Sequence, residues 1–232
     1  MMVAIISAMR SEIESLRALL TGEEYVCISG CDIWRGRLYG KDVLCAVCGE
    51  GKVNAALCAQ AVIMTYHPDA VINVGVGGGI ASFLNVGDVV VADRVVQHDF
   101  DVSALGYKRG QLCNFDDVYI PCDIALCSAL FSAAKKTMAG SEFHAYKGVI
   151  ATGDCFVSDS IRARDISDAF GAYVVEMEGA SIGQVCALND TPFCVVRAVS
   201  DSGSDSAFQD FRTFLEHAVN QSLALIGAYF KN

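Results

Sequence analysis

Apolar residues recur along this chain in two rhythms, and the alternation between them sets out the elements. "MVAIISA" is a short apolar run, and "MRSEIESLRALL" then places Ile13, Leu16, Leu19 and Leu20 at helical spacing. "YVCISGCDIWRGRLYGKDVLCAVCG" predicts three strands with turns at Ser29-Gly30 and Tyr39-Gly40-Lys41. "GKVNAALCAQAVIMTYH" predicts a helix closed by Pro68-Asp69, and "AVINVG" a buried strand running into the glycine cluster "GVGGGI". "VGDVVVADRVVQHDFDVS" supplies further strand, whereas the stretch from Gly106 to Cys122 has no clear period and predicts a long loop. The remainder alternates: helix in "IALCSALFSAAKKTM", strand in "AYKGVIATGD", a short helix from Arg162 to Phe170, strand in "AYVVEME". "GASIGQVCALN" is then helical, "PFCVVRAVSD" a strand, and "FQDFRTFLEHAVNQSLALIGAYF" a terminal helix.

Near-continuous Val/Ile strands separated by helices indicate a sheet covered on both faces. The expected architecture is α/β, a three-layer αβα sandwich around a central mixed, twisted β-sheet. The early run of three strands makes the sheet mixed rather than purely parallel. With only 3 prolines and no Pro/Ser-rich stretch, no linker is visible, and residues 1–232 are expected to form one domain.

Charge narrows the partners. A formal net charge of −10 and scattered cations, the longest run being Lys135-Lys136, argue against a nucleic-acid surface. No apolar run approaches the ~18 residues of a membrane span. The opening segment meets Arg10 and Glu12 too early for a signal peptide. A soluble cytoplasmic protein acting on a small molecule is the expectation. The 11 cysteines are odd in number and lack an export signal, which speaks against a disulfide framework. Cys45 and Cys48 have the spacing of half a zinc site, yet on a strand positions three apart face opposite sides. With four scattered histidines and no second pair, no metal is expected, and most cysteines read as reduced core residues.

Ligands of α/β sheets sit beyond the carboxyl ends of the strands. Those ends here carry Met9 and Glu12, the glycine cluster, Asp154 and Phe156, Met177 and Glu178, and Arg197, Ser200 and Asp201. Together they suit acid/base work on a polar small molecule. Each also has a plain structural alternative. The glycines lack GxGxxG spacing and can form a tight turn, Glu12 can favour a helix dipole, Asp201 can cap its strand, and Phe156 can be core. In "VVEMEGAS", spacing puts Glu176 on the same strand face as Glu178, with a supporting role at most.

The segments "AIISAMRSE", "GKVNAA", "VINVGVGGGI", "VGDVVVAD", "HDFDVSALGYKRGQ", "TGDCFV", "VVEMEGASIGQVC" and "VVRAVSDS" occur in the order found in 5′-methylthioadenosine/S-adenosylhomocysteine nucleosidases. The chain resembles that family over essentially its whole length. The resemblance implies the nucleoside phosphorylase-like fold and hydrolysis of an N-glycosidic bond, releasing adenine without metal or organic cofactor. It also implies roles. Asp201 is the general acid at adenine N7, held by Ser200, and Glu12 activates the attacking water. Glu178 grips the ribose hydroxyls, with Met177 beside the sugar and Arg197 near the hydroxyls and water. Phe156 stacks on the base, the Val157 backbone reads its edge, and Met9 and Gly77 line the site.

Two positions depart from the family's pattern: Val76 replaces a small polar residue, and Glu50 replaces an apolar residue near the 5′-alkylthio group. Glu50 either meets a polar 5′ group or turns away to solvent or to Arg109. By the same resemblance the protein is a homodimer whose partner subunit closes the pocket with Val102, Leu105 and Cys113, while Tyr107 and Phe211 supply aromatic walls. Leu105 and Cys113 replace bulkier or stiffer residues. A phosphorylase of this fold is disfavoured by Asn73, which stands where such relatives carry arginine. A silent nucleoside-binding protein is disfavoured because Glu12, Glu178 and Asp201 are all present. Hydrolysis of another 5′-modified nucleoside, such as 5′-deoxyadenosine or a futalosine, stays open through Glu50 and Val76.

Overall fold

The structure, a computed structural model describing residues 1–204 and 206–231, draws the Val/Ile runs into one continuous sheet. The first half of the chain contains β1 (Met2–Ser7), α1 (Glu14–Arg17), β2 (Thr21–Ile28), β3 (Cys31–Leu38), β4 (Lys41–Val47), α2 (Lys52–Tyr66), β5 (Ala70–Gly79) and β6 (Val89–Gln97). The second half contains β7 (Ile120–Pro121), α3 (Ile124–Met138), β8 (Ala145–Thr152), α4 (Ser160–Phe170), β9 (Ala172–Glu176), α5 (Gly179–Leu188), β10 (Phe193–Asp201) and α6 (Ala207–Lys231).

The strand order is β10-β6-β8-β9-β5-β1-β4-β3-β2. Parallel and antiparallel pairs are mixed, as the pattern predicts: β1 runs parallel to β4 and β5, while β2, β3 and β4 form an antiparallel meander. Helices cover the sheet in a three-layer arrangement, α2 packing on α5 and α3 on α6. Strands β5 and β10 are buried along their whole length, which explains their continuous apolar composition.

β5 also pairs with β10, so β5, β10, β6, β8 and β9 close into a ring. The glycine cluster makes this closure possible. Residues Ala70–Asn73 of β5 pair with β1, whereas Gly78 and Gly79 pair with Val175 and Val174 of β9. The cluster is therefore strand, and the alternative of a tight turn is corrected. Its glycines serve close approach: a Cβ on Gly77 would stand 2.6 Å from Val174 Cγ1 and 2.8 Å from the Val175 carbonyl oxygen.

The helix predicted through Leu19 and Leu20 is also shorter than its pattern. A 3₁₀ turn at Arg10–Glu12 and the single turn of α1 are all that form, and β2 already begins at Thr21. Ile13 and Leu16 are buried and Leu20 packs partly buried against the core, but Leu19 is 52% exposed, so the apolar stripe is not kept as one helical face. The Gly106–Cys122 stretch is mostly irregular, as expected, apart from the two residues of β7 on the edge of β6. All eleven cysteines are free, eight of them buried. Among the described residues no helix is long and apolar enough to cross a membrane.

Candidate active site

A cleft of about 450 Å³ opens beside the ends of β1, β5, β9 and β10, a volume in the range of small-molecule sites. Its floor is organised by Arg197, which is 1% exposed in the middle of a Val-rich strand. A buried guanidinium requires partners, and three elements provide them. One Nη donates to Asn73 Oδ1 at 2.6 Å and to Glu176 Oε2, and lies 3.6 Å from Glu178 Oε2; the other donates to the Val196 carbonyl at 3.0 Å.

Glu176 is the hub of this arrangement. It accepts hydrogen bonds from Arg197, from Thr152 Oγ1, and from the amides of Glu178 at 3.1 Å and Gly179 at 2.7 Å. Those amide bonds end β9 at Glu176 and turn the chain into α5, two residues before the "AYVVEME" pattern stops. Sequence spacing allows Glu176 a supporting role at most and does not name its partners. The available signal was Arg197 itself, a cation in a buried strand that demands an acid across the sheet.

Glu12 and Glu178 stand on the cleft surface above Arg197. Glu12 is 4% exposed and accepts from the amides of Met9 at 2.9 Å and Val76 at 3.1 Å. It reaches Val76 across Gly75, where a Cβ would lie 2.6 Å from Glu12 Oε1 and 3.5 Å from the Arg197 guanidinium carbon. Burial pushes the Glu12 carboxyl above its ordinary value, against the pull of Arg197. Glu178 accepts from the Gly51 amide at 2.8 Å. Its carboxyl is pushed up to about 7, by burial first and by the Glu176 carboxylate second, with Arg197 opposing. Three buried carboxyls thus share one guanidinium, and full ionisation leaves two negative charges uncompensated.

A second acid lies at the end of β10. Asp201 is 2% exposed, and its two oxygens accept from Ser200 Oγ at 2.8 Å and from the Gly203 amide at 2.9 Å. Burial raises its carboxyl above the ordinary value, against these two bonds. Gly78 leaves the space in front of it, since a Cβ there would sit 2.8 Å from Asp201 Oδ1. Phe156 and Phe211 face each other edge-on, 5.8 Å between ring centres, and wall the same cleft.

Of the residues picked out in the sequence, the cleft brings together Met9, Glu12, Glu50, Val76, Gly77, Phe156, Val157, Glu176, Met177, Glu178, Ser200, Asp201 and Phe211. Arg197 lies beneath the surface rather than on it. Val102, Leu105, Tyr107 and Cys113 do not line this chain's own cleft; Leu105 is 73% exposed. Asp154 is corrected from a site acid to a brace. Its carboxylate accepts the Lys52 amide at 2.7 Å, its own amide donates to Asp99 Oδ2 at 2.8 Å, and Lys52 Nζ donates to Asp99 Oδ1 at 2.7 Å. This closed cycle ties the start of α2 to the loop carrying Phe156 and Val157. The proposed Glu50–Arg109 pair is also absent, because Arg109 pairs with Asp165 at 2.8 Å. Phe208 and Cys155 line the cleft without having been singled out. Among the described residues no group of three or more His, Cys, Asp or Glu side chains is placed to hold a metal ion.

Comparison with known proteins places this geometry. The phosphorylase superfamily matches residues 2–231. A 5′-methylthioadenosine/S-adenosylhomocysteine nucleosidase of Bacillus thuringiensis (strain Al Hakam) is 39% identical over 228 residues, covering 97% of this chain and 96% of that protein. The crystal structure of the Neisseria meningitidis nucleosidase of the same name, in complex with methylthio-immucillin-A, superposes with a TM-score of 0.95 at 37% identity, over 99% of this chain and 98% of the other. A futalosine hydrolase mutant of Helicobacter pylori strain 26695 superposes with a TM-score of 0.91 at 29% identity, over 99% and 98% of the two chains.

Proposed function

Because the chain belongs to the 5′-methylthioadenosine/S-adenosylhomocysteine nucleosidase family of the phosphorylase superfamily, we propose that its cleft hydrolyses the N-glycosidic bond of 5′-thio-substituted adenosines and releases adenine. The observation that carries the reading is the charge layout: buried carboxyls in excess over one guanidinium at one end, and the buried, hydrogen-bonded Asp201 at the other.

Cleaving C1′–N9 builds positive charge on the sugar and negative charge on the base. Glu12 and Glu178, low in dielectric and only partly offset by Arg197, stabilise a sugar cation far better than water does. Asp201 gives its proton to N7, so the base leaves neutral as the C1′–N9 electron pair moves onto the ring. Water then attacks C1′ while Glu12 takes its proton, and the hydroxyl stays on the sugar. An acid and a base working on opposite sides of one bond follow the logic of inverting glycoside hydrolysis. Glu178 accepts from the ribose hydroxyls, and Met177 packs beside the ring. Phe156 stacks on adenine, whose edge the Val157 backbone reads.

The same negative floor disfavours phosphate as the nucleophile. Asn73 contributes no positive charge there, since its Oδ1 is spent on Arg197 and its Nδ2 on the Ile6 carbonyl at 2.9 Å. In our reading the protein is a cytoplasmic homodimer, and Val102, Leu105, Tyr107 and Cys113 reach the partner's cleft rather than their own. Exposed apolar side chains on α2, Val53 at 76% and Met64 at 67%, support such a contact face.

The test is incubation with methylthioadenosine, S-adenosylhomocysteine, 5′-deoxyadenosine, a futalosine and inosine, with and without phosphate, followed by chromatography. Adenine and a free 5-thioribose are expected from the first two substrates whether or not phosphate is present. Phosphate-dependent formation of a sugar 1-phosphate contradicts the reading.

A further inference from the structure

Glu50 is the one carboxylate on the cleft that the proposed chemistry leaves without work. It occupies the tip of the turn between β4 and α2, flanked by Gly49 and Gly51 at φ of 85° and 91°. The Gly51 amide holds Glu178, so Glu50 stands on the sugar-acid side of the cleft rather than at Asp201. Its backbone is pinned: the Glu50 carbonyl accepts from Asn54 Nδ2 at 2.8 Å, and the brace of Lys52, Asp99 and Asp154 begins two residues on. Two candidate cations are engaged elsewhere. Lys52 Nζ is bound to Asp99 and to Gln97 Oε1 at 3.2 Å, and Arg109 to Asp165. Among the described residues no lysine or arginine forms an ion pair with Glu50.

An exposed, unpaired carboxylate on a pinned backbone therefore stands on a cleft whose apolar lining includes Met9, Phe208 and Phe211. Apolar walls suit an alkylthio chain, and the carboxylate suits a positive charge at the far end of that chain. We infer that Glu50 is a specificity residue that recognises an ammonium group on the 5′-thio substituent, favouring aminoalkyl and amino-acid tails over plain alkyl ones. The inference rests on the nucleosidase reading. Between the two substrates in the family's name, the methylthio tail carries no charge and the homocysteine tail carries an ammonium. A tail with an ammonium and no carboxylate shows the preference most strongly, because nothing on it is repelled by the glutamate.

The experiment compares kcat/KM for a 5′-aminoalkylthio adenosine with that for the uncharged alkylthio analogue of equal length. It uses the full-length protein and its Glu50→Gln and Glu50→Lys variants, at low and high salt. For the parent protein the ammonium tail is expected to win by about fivefold, the upper range for a pair at a partly exposed position. The advantage shrinks in high salt, falls to about one in Glu50→Gln, and inverts in Glu50→Lys. A ratio that is unchanged in Glu50→Gln, or a parent protein that prefers the uncharged tail, overturns the inference. Absence of adenine release from every 5′-thioadenosine, methylthioadenosine included, overturns the nucleosidase reading along with it.

Discussion

Replacing Glu176 by glutamine removes the charge that faces Arg197 and keeps the shape. The parent carboxylate takes hydrogen bonds from Thr152, Arg197 and the amides of Glu178 and Gly179. A glutamine oxygen can keep the three donors that share Oε2, while its NH₂ takes the place of Oε1 and reverses the bond with the Thr152 hydroxyl, so the loss is the charge facing Arg197. Breaking a buried ion pair costs about 3–5 kcal/mol. Here Asn73 Oδ1 at 2.6 Å and Glu178 Oε2 at 3.6 Å stay beside the guanidinium. That places the cost lower, at about 2–3 kcal/mol. For a chain of 232 residues each kcal/mol moves Tm by about 2–4 °C, so a fall of roughly 5–10 °C is expected. A second readout separates this from general damage. The Glu176 charge helps hold the Glu178 carboxyl up, so its removal shifts the acidic limb of the kcat/KM–pH profile to lower pH. Thermal melts and adenine release across pH measure both effects. A Tm within about 1 °C of the parent, together with an unmoved acidic limb, refutes the hub assignment.

Two further outcomes follow from the same geometry. The Glu178 carboxyl is raised to about 7 in the folded protein, so its contribution to stability is full below its unfolded value near 4.5 and is lost as pH rises through 7. Glu178→Gln is accordingly expected to flatten the fall in Tm between about pH 5 and pH 8, a window worth up to about 3 kcal/mol, and an equally steep fall in the variant contradicts the assignment. Lys52→Met opens the brace to Asp99, whose side chain is only 22% exposed, and frees the loop that carries Phe156. KM for methylthioadenosine is expected to rise about 3- to 10-fold with a smaller change in kcat, the scale of a charge-assisted hydrogen bond that positions binding groups. An unchanged KM shows that the brace does not position the base-binding loop.

The strands were readable because a sheet covered on both faces leaves no polar side to its inner members. "AVINVG" and "CVVRAV" can be little else than buried strands. The glycines after "AVINVG" defeat the same logic, since glycine signals a turn unless the strand must pass between two close neighbours, as Gly77 does against Val174. The stripe of Ile13, Leu16, Leu19 and Leu20 promised a longer helix than forms. There Glu12 spends its carboxylate on the amides of Met9 and Val76, and a tertiary contact overrides the local period. Glu176 and Glu178 are equivalent by spacing. Both line the cleft, and they separate only in their bonds: Glu176 takes Arg197, Thr152 and two amides, whereas Glu178 takes the Gly51 amide. Asp154 illustrates the converse: a polar residue at a strand end that braces a helix start instead of facing the ligand. Val102, Leu105, Tyr107 and Cys113 do not line this chain's cleft, which no spacing along the sequence reveals.

The most direct test of the proposed chemistry is the dependence of the Asp201→Asn variant on the leaving group. Asparagine keeps the size and the contacts with Ser200 and Gly203 but has no proton to give. Adenine release from methylthioadenosine is expected to fall by a factor on the order of 10²–10⁴. Cleavage of a 5-thioribofuranoside bearing a nitrophenolate, which leaves without protonation, is expected to change by less than about tenfold in the same variant. Equal losses for both leaving groups, or near-parental adenine release, contradict the assignment of Asp201 as the acid that makes adenine a leaving group.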